Sequence, residues 1–294
     1  MKVASAPPCG IYLYCLFEDA GGCATPGELG IDSEWPLELV RHNGVVAVVA
    51  QVPLAEYCRP KWEGREQELR WLLPRLQEHR QVIDRLRAER PVLPMRFGTL
   101  FESRNHIQQL LADRYEDIRC QLKRFQGKEE WGVKVYIRPE MIQQKARRSH
   151  PIPAKLQQQL QGASPGRAFF YRKKHEAARR QVCRTIENNL GRQIQEQLQH
   201  DQKPCLSNRL FGKELTGRPE PMLLNLVFLV DSHQIANFSA NVDRISRRFA
   251  SWGCLFEVTG PWPPYSFCSA LGDTQSGKTS GDPNLLLRAA APSD

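Results

Sequence analysis

Apolar residues recur along this chain in two rhythms, one near-continuous and one stepping by three and four. Residues 11–17 and 44–52 are nearly unbroken aliphatic, β-branched or aromatic runs bounded by Gly and Pro, predicting two strands buried on both faces of a sheet. Over residues 66–90 the apolar positions Leu69, Leu72, Leu73, Leu76, Ile83 and Leu86 mark one face of an amphipathic helix, with Pro74 as a kink or a first turn. His79 lies on that stripe, which predicts a hydrogen-bonded core histidine rather than a catalytic one. An extended segment at 91–97 and a helix over 102–125 follow. Residues 130–138 then alternate Val133, Val135 and Ile137 with Lys134, Tyr136 and Arg138, predicting a strand with one wet face.

Residues 141–153 lack apolar periodicity, carry Gln143, Gln144, Lys145, Arg147 and Arg148, and end on Pro151 and Pro153, so they read as a linker. Beyond them the stripe Val182, Ile186, Leu190, Ile194 and Leu198 steps by four within a long helix at 165–200. Strands are predicted at 222–230 and 254–259, and between them a helix over 234–252 with Ile235, Phe238, Val242, Ile245 and Phe249 on one face. Residues 269–294 have no periodicity and read as a flexible tail. The expected organisation is therefore α+β in two domains, 1–140 and 141–268, each a mixed or antiparallel sheet packed with helices, followed by the tail.

Composition narrows the function classes. The chain has 294 residues, 41% hydrophobic and 25% charged, enough for two ordinary cores. Its longest apolar runs are strand-sized, well short of the ~20 residues of a membrane-spanning helix, and the run at 11–17 leads into Glu18 and Asp19 rather than a signal-peptide cleavage site. Nine dispersed cysteines without a Cys-x-x-Cys pair or a Cys/His cluster at zinc spacing read as reduced intracellular thiols, with no metal expected.

The net charge of +9 is concentrated in residues 145–201, where twelve Lys and Arg face four Asp and Glu. Such an excess is either a solvated helix face or an attractor for nucleic acid, anionic lipid or an acidic protein. A nucleic-acid-binding role through this basic helix is the weaker alternative, since no aromatic RNA-binding strand motif accompanies it. Gly272 and Gly277-Lys278-Thr279 match the phosphate-loop expression, which makes nucleotide binding a second alternative. Gly281 and Pro283 break the helix that such a loop must open, so no cofactor is expected there. His175-Glu176 is followed at position 179 by Arg rather than a second zinc-ligating His.

Two proline-bearing ribbons remain, Pro91-Val92-Leu93-Pro94-Met95-Arg96-Phe97-Gly98-Thr99 and Thr259-Gly260-Pro261-Trp262-Pro263-Pro264-Tyr265-Ser266-Phe267. Each Pro holds its predecessor extended. Neither ribbon gathers an acid, a base and a nucleophile, so each is either a partner surface or a strap over a core. Candidate partner-binding residues are Pro94, Arg96 and Phe97; Trp131, Lys134 and Tyr136; Lys173, Arg180 and Arg184; and Trp262 and Tyr265. The 91–97 ribbon and the 131–138 strand are candidates for strand addition.

These ribbons, with Gly127-Lys128-Glu129-Glu130-Trp131-Gly132-Val133-Lys134 between them, resemble the gas vesicle protein F and L family in residues and in order, over roughly residues 10–268. The resemblance implies two α+β domains, the second ferredoxin-like, and a non-enzymatic accessory or minor structural role in gas vesicle assembly. It also implies contact with the main shell protein and other gas vesicle accessory proteins, at gas vesicles in the cytoplasm.

Overall fold

The structure, a computed structural model, describes residues 9–19, 30–31, 35–57, 65–149, 158, 163–200 and 204–268. The chain forms two compact units. The first takes its described residues from Met1–Glu130 and Thr259–Asp294, the second from Trp131–Val258.

The first unit is built on a five-stranded sheet of β1 (Cys9–Glu18), β2 (Glu38–His42), β3 (Val45–Pro53), β4 (Leu93–Pro94) and β5 (Leu100–Phe101). Its order is β2-β3-β1-β4, with β5 also on β1; β1 pairs antiparallel with β3, β4 and β5, and β2 with β3. β1 and β3 are buried almost throughout, as their unbroken apolar runs predict. β2 is mostly polar and carries no apolar run. The signal for it is the turn: Asn43 and Gly44 both hold positive φ, 47° and 80°, the conformation of a two-residue hairpin.

After the short α1 (Leu54–Tyr57), helix α2 (Arg65–Glu89) runs through Pro74, which faces solvent, and buries Leu76, His79, Val82 and Ile83. The single helix expected at 102–125 is instead two, α3 (Arg104–Asp113) and α4 (Tyr115–Phe125), broken at Arg114 with φ −113° and ψ 18°. The buried positions Ile107, Leu111, Ile118, Leu122 and Phe125 keep helical spacing across the break, so the sequence shows no interruption.

The second unit carries a four-stranded sheet of β6 (Lys128–Ile137), β7 (Cys205–Ser207), β8 (Met222–Asp231) and β9 (Cys254–Trp262), in the order β7-β8-β6-β9. Helices α5 (Pro139–Ser149), α6 (Pro165–His200), the one-turn α7 (Lys213–Thr216) and α8 (Ile235–Phe249) connect them. Val133, Val135, Ile142, Leu190, Ile194, Phe228, Phe238 and Val242 belong to one continuous core.

Three expectations change here. The units divide between Glu130 and Trp131 rather than at 140/141, because β6 is hydrogen-bonded into the second sheet between β8 and β9. Residues 139–149 are a helix rather than a linker: Pro139 suits a first helical turn, and burying only Ile142 and Ala146, one step of four, leaves too little apolar pattern to notice. β6 has no wet face, since Lys134 and Tyr136 are buried. The turn into β9 needs glycine at 253, where φ is 81° and an added Cβ would sit 2.8 Å from the Met141 Cβ.

Candidate functional site

Two buried polar centres and one exposed helix face hold most of the chemically capable side chains. In the first unit, α2 delivers His79 against Tyr12 and Tyr14 of β1. His79 Nε2 lies 3.2 Å from the Met95 carbonyl, which can only accept, so Nε2 carries the proton and Nδ1 accepts from the Tyr12 hydroxyl at 2.9 Å. The Tyr12 oxygen in turn accepts the Gly98 N–H at 3.1 Å. The Tyr14 hydroxyl oxygen accepts the Ile31 N–H at 2.6 Å, and its ring stacks on His79 at 5.7 Å. Phe97 meets His79 edge-on at 5.8 Å and Tyr265 stacks on it at 6.5 Å.

The consequence is a neutral, water-excluding centre. Burial holds His79 down at about 3, against a slight upward pull from the Met95 carbonyl, and burial pushes the Tyr12 phenol well above its usual value. The 91–99 ribbon is fastened at its middle and at its far end. Met95 N–H donates to the Tyr14 carbonyl at 2.8 Å and Leu13 N–H to the Thr99 carbonyl at 2.9 Å. The second ribbon is fastened by Glu130, whose carboxylate accepts the Ser266 N–H at 2.7 Å and the Ser266 hydroxyl at 3.2 Å. Trp262 is buried under the Arg80 guanidinium, 5.1 Å from its ring.

In the second unit the polar centre is charged. Lys134 Nζ lies 2.9 Å from Glu257 Oε1, and Arg218 reaches Glu257 Oε2 through Nη2 at 2.9 Å and Nε at 3.1 Å. The Arg218 guanidinium also covers Tyr136, 4.7 Å from the ring. Burial alone pushes the Glu257 carboxyl up, but Lys134 and Arg218 outweigh it and hold the carboxyl below its ordinary value. Tyr136 is raised, chiefly by burial.

Neither centre gathers a nucleophile and a base at an open cavity. An open cavity of about 420 Å³ in the second unit lies between α6 and β8 and is lined by Glu187, Asn188, Gly191, Gln195, Gln199 and Leu223 among others. Among the described residues no group of His, Cys, Asp and Glu has a metal-holding arrangement, and seven free cysteines are present. No helix among them is long and apolar enough to cross a membrane. The phosphate-loop match at 272–279 lies outside the described residues.

Residues 10–269 match the family model of the gas vesicle synthesis protein GvpL/GvpF. The chain belongs to this family. It is 30% identical over 256 residues to gas vesicle protein L of a Streptomyces species, covering 87% of this chain and 91% of that one. It is 27% identical over 271 residues to gas vesicle protein L1 of Halobacterium salinarum, covering 90% and 92%. In fold it resembles the crystal structure of gas vesicle protein GvpF from Anabaena, with TM-score 0.63 at 17% identity, covering 89% of this chain and 96% of that one. The GvpF structure from Microcystis aeruginosa gives 0.60 at 19%, covering 88% and 99%.

In this GvpL/GvpF chain the candidate residues part company. Pro94 and Trp262 are buried, Phe97 and Tyr265 are half-buried around His79, and Arg96 is exposed. In the second unit Lys134 and Tyr136 are buried, and Trp131 is half-buried with its ring 6.3 Å from Phe238. β6 is flanked by β8 and β9, so it has no free edge for an added strand. Lys173, Arg180 and Arg184 are exposed on α6. Sequence reasoning passed over Glu257, Arg218, Glu130, Tyr12 and Tyr14. A buried Lys in a strand demands a carboxylate partner, but its place in the chain, 123 residues from Lys134 in the case of Glu257, carries no local mark.

Proposed function

We propose that this chain is a non-enzymatic accessory or minor structural protein of gas vesicles, which contacts the main shell protein and other gas vesicle accessory proteins during assembly in the cytoplasm. The observation that carries the reading is the family match over residues 10–269. The site chemistry agrees with it: the two polar centres spend their hydrogen bonds and charges on holding ribbons and strands in place.

The physical need for such a protein follows from the shell. A subunit with one apolar face aggregates unless that face or its sheet edge is covered before it joins the growing wall. A stable two-unit protein with an exposed, charged helix can meet such a subunit, or the complex that delivers it, without itself aggregating.

Deleting the gene and restoring it tests this. The reading expects intact vesicles to be lost on deletion and to return with the wild-type gene, and purified chain to bind purified shell protein. Unchanged vesicle number in the deletion strain contradicts it. Lys278→Ala is expected to leave vesicles unchanged, and their loss with the protein still folded favours a nucleotide-dependent role instead.

A further inference from the structure

The outward face of α6 combines features that the family reading does not explain. Residues 167–186 hold Arg167, Arg172, Lys173, Lys174, Arg179, Arg180 and Arg184 against the single acid Glu176. None of these seven cations forms an ion pair among the described residues; Arg184 donates to the Gln181 side chain at 2.8 Å, and Lys173 Nζ sits 5.1 Å over the Phe169 ring. Phe169 and Phe170 are 57% and 65% exposed, the two most exposed large apolar side chains described.

Helical spacing puts these groups together. Positions 169, 173, 180 and 184 advance by four, seven and four, so Phe169, Lys173, Arg180 and Arg184 form one straight stripe, with Phe170 beside its start. All five are exposed, while Ala168, Leu190, Ile194 and Leu198 are buried on the core side. Helix α5, in contact with α6, carries exposed Arg147 and Arg148 in its last turn.

We infer that this stripe is a docking face for an acidic, amphipathic segment of a second protein, its carboxylates meeting Lys173, Arg180 and Arg184 and its apolar side chains covering Phe169 and Phe170. Charge complementarity selects the acid, and the exposed phenylalanines select a partner with apolar groups next to its carboxylates. A lipid surface fits less well: a helix lying in a membrane needs an apolar stripe along its length, and here the exposed aromatic groups occupy a single turn. A duplex backbone offers cations their phosphates but gives the two phenylalanines nothing apolar. The inference stands on this helix alone and does not need the vesicle reading, so gene deletion and the binding test below can fail separately.

The test is binding of the full chain to a fluorescein-labelled helical peptide with Glu and Asp on one face and Leu and Phe on the other. Polyglutamate, a single-stranded oligonucleotide, a DNA duplex and phosphatidylglycerol vesicles serve as comparators. Two variants are compared with wild type after their unchanged circular dichroism is verified. Lys173→Glu/Arg180→Glu/Arg184→Glu is expected to weaken peptide binding at least about tenfold at low salt and less at high salt. Phe169→Ser/Phe170→Ser is expected to weaken peptide binding by about tenfold while leaving polyglutamate binding unchanged. Equal peptide affinity for wild type and either variant, including no measurable binding to wild type, overturns the inference. Tighter binding to an oligonucleotide or to vesicles than to the peptide overturns it as well. Should the triple reversal fail to fold, Phe170→Ser alone decides, since it leaves every charge in place.

Discussion

The first unit keeps its polar groups inside as neutral partners, with His79, Tyr12, the Met95 carbonyl and the Gly98 N–H in one chain of hydrogen bonds and the Tyr14 ring stacked on His79. The second unit keeps an ammonium, a guanidinium and a carboxylate together, and the Arg218 side chain stays 37% exposed. The difference follows from desolvation. A neutral imidazole can be buried completely when both nitrogens are satisfied, whereas charges need each other and some access to water. Neutral burial leaves a rigid support for ribbons, and charged burial ties two neighbouring strands through Lys134 and Glu257.

The sharpest way to break this contrast is to remove the imidazole. His79→Ala should destabilise the first unit by about 4 kcal/mol, as a core cavity opens and the Tyr12 hydroxyl and Met95 carbonyl lose their partner; chemical denaturation measures it. A loss under about 1 kcal/mol would mean that the ribbon is held from elsewhere.

Glu257→Ala should cost about 3 kcal/mol, because it leaves the Lys134 ammonium buried without a counter-charge. Lys134→Met together with Glu257→Leu should recover most of that, measured in the same denaturation series, since removing both charges removes the desolvation cost too.

Acid separates the centres. Histidine titrates at 6.5 in the unfolded chain and His79 at about 3 in the fold, so its stabilisation is complete above 6.5 and is lost as pH falls towards 3. Between pH 6 and pH 4 that amounts to about 2.5 kcal/mol, which His79→Gln should abolish. Glu257 has its folded value below the ordinary 4.5, so its contribution is present above 4.5 and is lost only as pH falls through the lower folded value. An acid-induced loss that begins above pH 5 and survives in His79→Gln would contradict the assignment.

What could be read in advance divides along the same physical line. β1, β3 and β8 are legible because each is a near-unbroken apolar run buried almost throughout, α6 and α8 because their buried residues recur at helical spacing, and His79 because it sits on an apolar stripe. α5 reads as a linker in the sequence because one buried Ile and one buried Ala leave its Gln and Arg residues to dominate the pattern. β6 reads as half wet in the sequence because alternation records polarity rather than burial, and Lys134 is polar yet paired. The ribbons read as either surfaces or straps, since aromatic and proline-rich runs serve both equally. Only the partners, Glu130 and the His79 cluster, separate the two.

Smaller effects sharpen the picture on α6. Gly191→Ala should stabilise by about 0.5–1 kcal/mol in thermal unfolding, since an added Cβ meets nothing nearer than the Leu224 Cδ2 at 3.7 Å and helix-interior glycine is entropically unfavourable. Lys173→Glu, Arg180→Glu and Arg184→Glu should each change stability by no more than about 0.5 kcal/mol, as exposed surface groups without an ion-pair partner do. That near-silence is what makes them usable in cells.

The account joins the ribbons' support of the fold to two proposals, that the chain serves gas vesicle assembly and that the exposed face of α6 is where its partner docks. Its most direct test is the yield of intact vesicles, per unit of folded protein, from cells in which Lys173→Glu/Arg180→Glu/Arg184→Glu replaces the wild-type chain. The account predicts a yield close to that of the deletion strain at undiminished protein level. A wild-type yield from the charge-reversed chain would contradict it.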